Sequence, residues 1–136
     1  MKAYDFIEHT ADIGVKAYGE TLDEAFSHVA QAMFDIITDH SKVDMVGEFK
    51  IELCADNLEQ LLVDWLSDLL FLNTANNLVF GGFNVEITDN RLIAYVYGEE
   101  FDVSKHNIGM EIKAVTYHML EVNTKKPIYV QVLFDI

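Results

Sequence analysis

The sequence predicts an α+β fold, a mostly antiparallel sheet carrying two helices. Three observations lead there. Several short runs alternate apolar and polar residues, as half-buried strands do. Two longer runs repeat their apolar residues at helical spacing, each opened by a capping pattern. A two-residue turn, Asp89-Asn90, separates two alternating runs in the manner of a hairpin.

Taken in order, residues 2–8 and 12–18 alternate and predict two strands. Thr21 then opens a helix. Its hydroxyl can accept from the Glu24 amide while the Glu24 carboxylate reaches back, a capping box. Leu22, Phe26, Val29, Met33 and Ile37 follow as one apolar stripe. Residues 45–54 return to alternation, with Phe49, Ile51 and Leu53 on one face. Asp56 and Glu59 repeat the capping arrangement. A more apolar helix follows through Leu58, Leu61, Leu62, Trp65, Leu66 and Leu69, ending near Asn73–Asn77. Phe83, Val85 and Ile87 form the first arm of the hairpin and residues 92–97 the second. Residues 99–110 predict a loop, 111–122 a strand, and 128–135 a last strand with Ile128, Val130, Val132 and Phe134 on one side.

Composition bounds the rest. The chain has 136 residues, enough for one compact domain with a real core. It is 51% hydrophobic and 24% charged, the balance of a globular chain. One proline and seven glycines leave no stretch that reads as a flexible linker. No run is long and apolar enough to span a membrane. Residues 1–5 lack the apolar stretch of a signal peptide. Cys54, the single cysteine, excludes an internal disulfide and a multi-cysteine metal site, so a cytoplasmic location is expected. Nine basic against 23 acidic residues give a net charge of −14. Phosphate backbones repel such a chain, so stable direct nucleic-acid binding is not expected; hard cations and basic protein surfaces are the natural partners. Solubility alone also accounts for a charge of this size.

Three places carry candidate chemistry: His9-Thr10-Ala11-Asp12-Ile13-Gly14, Glu111–His118, and the terminal Phe134-Asp135-Ile136. Thr116 and His118 lie two apart on a predicted strand, where polar groups need a reason; hydrogen bonds in the interior are a sufficient one. The terminus offers the Asp135 carboxylate, the Ile136 carbonyl and the α-carboxylate. These oxygen ligands suit Ca²⁺ or Mg²⁺ rather than Zn²⁺, and an ordinary solvated chain end has the same make-up. Enzyme templates are missing. There is no glycine-rich loop before a helix and no Gly-x-Ser-x-Gly elbow. Cys54 has no histidine near it in sequence, and the five histidines take no metalloprotease spacing. His28 and His40 are expected to be solvated on or just beyond the first helix. The pattern points to a binding protein and not an enzyme.

Four ordered motifs resemble the archease family. They are His9–Gly14 with Ala17-Tyr18-Gly19 and Thr21-Leu22-x-Glu24-Ala25-Phe26; Leu61-Leu62-x-Asp64-Trp65-Leu66; Glu111-Ile112-Lys113-Ala114-Val115-Thr116-Tyr117-His118; and Phe134-Asp135-Ile136. They span the whole chain in order and without departure. The resemblance implies strand–helix–strand–strand modules, one inserted into the other at roughly residues 40–100. It also implies a non-catalytic activator of an RtcB-type RNA ligase in tRNA splicing, one that promotes guanylylation of the ligase and its multiple turnover. A divalent cation, commonly Ca²⁺, would be held by Asp12, Asp135 and Ile136. Lys113, together with His9 and His118, is the expected activation or partner surface. Lys113 is expected to face outward, with Ile112 and Ala114 on the buried side of its strand. A chaperone or modulator of nucleic-acid-processing proteins, or a metal-dependent hydrolase built on the same carboxylates, are the alternatives.

Overall fold

A computed structural model describes residues 2–9 and 11–136. Thr10, part of the opening motif, lies outside the described residues. The elements are β1 (Tyr4–His9), β2 (Asp12–Tyr18), α1 (Leu22–Ile37), a short 3₁₀ turn (His40–Lys42), β3 (Gly47–Cys54), α2 (Leu58–Asn76), β4 (Leu78–Thr88), β5 (Arg91–Glu100), β6 (Ala114–Asn123) and β7 (Tyr129–Asp135). The architecture is α+β, as the periodicity predicts, with the strands divided between two antiparallel sheets. One has the order β1-β2-β7-β6 and the other β3-β5-β4. The smaller sheet and α2 are contiguous in the chain, so the larger sheet is assembled from the two ends of the sequence. That closure is what sets β2 against β7 and brings the first motif to the last.

The helices supply the packing between sheets. α1 lies against β2 of the larger sheet and β4 of the smaller one, and α2 packs mainly on β6. The stripe foreseen on α1 is buried: Phe26, Val29 and Met33 are fully enclosed, and Leu22 and Ile37 are partly so. Three polar contacts orient the pieces. Ser27 donates to the Phe83 carbonyl at 3.0 Å, the Ile87 amide donates to Asp23 at 3.0 Å, and the Trp65 indole donates to the Phe26 carbonyl at 3.0 Å. Phe34 meets Phe80 edge-on with ring centres 5.5 Å apart, and Phe49 meets Phe80 likewise at 5.6 Å. Such pairs add about 0.5–1.5 kcal/mol beyond burial. Among the described residues no helix is long and apolar enough to cross a membrane.

Several local expectations are corrected. The N-cap of α2 is Asn57, which accepts from the Gln60 amide at 2.8 Å, and not Asp56. Asn57 is an equally good cap, so the side chain one residue closer to the apolar run wins. In α1 the Thr21 hydroxyl accepts from the Glu24 amide at 3.2 Å, but the Glu24 carboxylate reaches the Glu20 amide at 3.4 Å, one residue before the cap. β4 starts at Leu78, directly after α2, because Asn77 closes the helix in the left-handed region at φ 57° and turns the chain at once. β5 extends through Glu100, so the loop runs from 101 to 113. β6 begins at Ala114 rather than 111, and Ala114 is exposed, against the expectation that it faces the core. Ile112 is buried from the loop, and Val115 packs on the core opposite Phe134.

Candidate functional site

The first residue of β2 pairs with the last of β7: Asp12 stands opposite Asp135. The row continues on both sides, with His9 of β1 opposite Asp12 and Ala114 of β6 opposite Asp135. Facing residues of an antiparallel ladder send their side chains to the same side of the sheet, with Cβ atoms about 4.5–5.5 Å apart. The Asp12 and Asp135 carboxylates therefore share one face at one end of the larger sheet. Both residues are half-buried. The Lys113 amide donates to the Asp135 carbonyl at 2.7 Å, which holds the segment before β6 beside this row and leaves the Lys113 side chain exposed. Ile136 follows Asp135, with its side chain packed against the core.

The donor set can be weighed for a cation. Two carboxylates across a ladder plus backbone oxygens of the next residue are hard oxygen ligands only. Ca²⁺ takes such ligands at about 2.3–2.6 Å in a flexible shell, a reach that two facing side chains can close. Sulfur ligands, which softer metals favour, are far from this row: Cys54, the single cysteine, lies on β3 of the other sheet. The residues present fit Ca²⁺ or Mg²⁺.

His118 falls elsewhere. β6 shifts register between Thr116 and Glu121, and Met119 adopts φ 57°. The regular alternation assumed for Thr116 and His118 therefore stops at Thr116, which donates to the Leu133 carbonyl at 2.8 Å. His118 is exposed in the irregular segment and is not in the Asp12–Asp135 row. Asp12 and His118 both have interaction partners.

Two polar networks escaped the sequence. In the first, His106 is buried, its Nε2 donating to Glu99 at 2.9 Å while its Nδ1 accepts from the Asp102 amide at 2.9 Å. Those two partners fix the neutral Nε2–H tautomer. Lys105 reaches Glu99 at 2.8 Å and Asp44 at 2.6 Å. Hydrogen bonds from Lys105 and the Asp44 amide, with His106 adding to them, hold the Glu99 carboxyl down to about 2. In the second, His40 Nδ1 donates to Asp35 at 2.5 Å, and the Tyr4 hydroxyl donates to the other Asp35 oxygen. Burial, then the Asp35 acceptor, pushes the Tyr4 phenol well above its usual range. His28 Nδ1 meets the Tyr18 carbonyl at 2.6 Å, so neither helix histidine is the solvated residue expected. The only cue was sequence proximity of Asp35 to His40; no period encodes the long-range partners.

Asp35, Asp39 and His40 bring ligand atoms within 4.8 Å of one another. Each is satisfied locally: Asp35 by Tyr4 and His40, and Asp39 by the Ser41 amide at 3.1 Å and hydroxyl at 2.6 Å. The group closes the end of α1 as a polar plug.

An α+β chain of this architecture has counterparts among known proteins. A family model described as "Archease protein family (MTH1598/TM1083)" matches residues 4–136. Protein archease of Pyrococcus furiosus is 44% identical over 126 residues, covering 90% of this chain and 89% of its own. Protein archease of Sulfolobus acidocaldarius is 39% identical over 132 residues, covering 96% and 95%. The solution structure of Methanobacterium thermoautotrophicum protein 1598 superposes with a TM-score of 0.87 at 37% identity, over 100% of both chains. The chain belongs to the archease family.

Proposed function

We propose that this protein is a non-catalytic activator of an RtcB-type RNA ligase, acting in tRNA splicing or RNA repair through a divalent-cation site at Asp12, Asp135 and Ile136. The observation that carries the proposal is the register of β2 against β7, in which Asp12 faces Asp135 and the Lys113 amide ties the neighbouring segment to the same row. It accounts for three of the four family motifs meeting at one end of one sheet although the opening motif is far in sequence from the other two, Asp12 preceding Asp135 by 123 positions.

Each residue then has a task. Asp12 and Asp135 supply carboxylate oxygens, and Ile136 supplies main-chain oxygens. A bound Ca²⁺ or Mg²⁺ would offset carboxylates whose mutual repulsion otherwise disfavours the pairing. Lys113, exposed on the segment whose amide bonds Asp135, carries an ammonium that can meet a phosphate or carboxylate of the engaged ligase. The protein contributes no nucleophile and no general base to the ligation; its effect is on how often the ligase is restored to its guanylylated state. A net charge of −14 favours approach to a basic protein surface and opposes binding to free RNA.

The experiment is multiple-turnover ligation by the ligase of the same organism, with this protein added at a substoichiometric and then an equimolar level. Product per ligase should rise well above one only when the protein is present. Turnover of RNA or GTP by this protein alone would favour a hydrolase instead.

A further inference from the structure

Two apolar grooves flank the loop before β6. The first, about 380 Å³, lies between the edge strand β1 and the loop; Phe6, Ile13, Ile36 and Met110 line it. The second, about 410 Å³, lies on the other side of the same loop, against the C-terminal turns of α2, with Phe101, Ile108 and Ile112 in its wall. Gly109 and Met110 line both grooves and form the ridge between them.

The ridge is fixed. The Gly109 amide donates to the Ile37 carbonyl at 3.0 Å and the Met110 amide to the Ile36 carbonyl at 2.8 Å, so the loop caps the end of α1. A side chain at Gly109 would come within 2.2 Å of the Ile36 oxygen, so the loop sits as close to the helix as a backbone can. The apolar side chains on this scaffold are nonetheless open: Phe6 is 50% exposed, Met110 52% and Ile108 76%. Contiguous exposure of this kind on held backbone marks an interaction surface.

Charge identifies the occupant. Glu8 and Asp35 line the first groove and Glu111 the second, and among the described residues no lysine, arginine or histidine lines either. The C-terminal end of α2, at Asn73 and Asn77 in the second groove, adds the negative pole of a helix. The grooves lie at the same end of the larger sheet as the candidate site: Ile13 follows Asp12 in β2, with its side chain on the opposite face of the strand, and Glu111-Ile112 precede Lys113.

We propose that the paired grooves dock a segment of the partner ligase that presents apolar side chains flanked by lysine or arginine. The apolar groups fill the two grooves across the Gly109–Met110 ridge, the basic groups meet Glu8 and Glu111, and docking brings the Asp12–Asp135 end and Lys113 against the ligase. This rests on the ligase reading above and adds where and by what chemistry the ligase is held.

The test is calorimetric titration of the same-organism ligase with the full chain, in Ca²⁺. Phe6→Ala with Met110→Ala should weaken binding by about tenfold or more, as truncation of central apolar anchors does. Glu8→Lys with Glu111→Lys should weaken it as well. Wild-type affinity should fall as salt rises from about 0.01 to 0.15 M, over which the Debye length shrinks from roughly 30 to 8 Å. Phe71→Ala, an exposed phenylalanine on α2 outside both grooves, should bind as wild type does. Because Phe6 and Met110 are exposed, their replacement should leave the Tm and Ca²⁺ binding intact. Wild type that binds while the Phe6/Met110 variant binds within twofold of it overturns the docking surface alone. Wild type that fails to bind the ligase overturns the ligase reading and this one together. Conversion of a dimer to a monomer by the double variant would assign the grooves to a second copy of this chain and overturn the proposal.

Discussion

Asp12 and Asp135 face each other across the β2–β7 ladder, the first residue of one strand opposite the last of the other. If they share a cation as proposed, calorimetric titration with Ca²⁺ should show one site, and Asp12→Ala should abolish it. At a free Ca²⁺ concentration a hundred times the Kd, binding should also stabilise the fold by about 2.7 kcal/mol, read as a rise in Tm that Asp12→Ala lacks. Unchanged Ca²⁺ binding in the Asp12→Ala variant would falsify the assignment.

Lys113 separates structure from function. Its side chain is exposed, while its backbone amide, which any residue but proline provides, makes the bond to Asp135. Lys113→Ala should therefore change stability by no more than the ~0–1 kcal/mol of a surface charge, yet sharply reduce stimulation of the ligase. A folded Lys113→Ala variant with full stimulation would make Lys113 an ordinary surface lysine.

The Glu99 network predicts a pH dependence. Its folded carboxyl sits at about 2, below the usual 4.5, because Lys105, the Asp44 amide and His106 all favour the ionised form. A depressed carboxylate contributes stability that is fully present above the unfolded value and is lost as pH falls through the folded one. The contribution should therefore fade between about 4.5 and 2. Glu99→Gln should destabilise at pH 7 by about 1–3 kcal/mol, since it weakens the partner of a buried histidine. Urea midpoints of wild type and variant should converge as pH drops through that window; a difference that is constant with pH contradicts the network.

Trp65 joins the two helices, fully buried and donating its indole N–H to the Phe26 carbonyl at 3.0 Å. Trp65→Ala should cost about 3–5 kcal/mol through the cavity it leaves. Trp65→Phe should cost clearly less, because it restores most of the volume and loses only the hydrogen bond. Equal losses in equilibrium unfolding would mean that the hydrogen bond, not the volume, dominates.

The parts of the fold carried by periodicity were legible: the α1 stripe, the α2 run and the Asp89-Asn90 hairpin all follow from residue spacing. Capping was legible in kind but not in position, because Asp56 and Asn57 are adjacent competent caps and local geometry chose Asn57. The split into two sheets was not readable, since alternation says which face of a strand is buried and not which strand lies beside it. For the same reason nothing local placed Asp12 beside Asp135; the expectation came from the family resemblance, and the register now gives it a geometry. The irregularity after Thr116 left no mark either, because Met119 at positive φ is a conformation its residue type does not advertise. His106 was hidden because its partners, Glu99 and the Asp102 amide, become a site only once the loop closes on β5.

The central claim is that this chain multiplies the turnovers of an RNA ligase without performing chemistry itself. The most direct measurement is the number of RNA joints made per ligase molecule, at limiting ligase with GTP and divalent metal present, with and without the protein. The account predicts about one joint or fewer per ligase without it, many with it, and no joints from the protein alone. Equal product in the presence and absence of the protein would contradict the account.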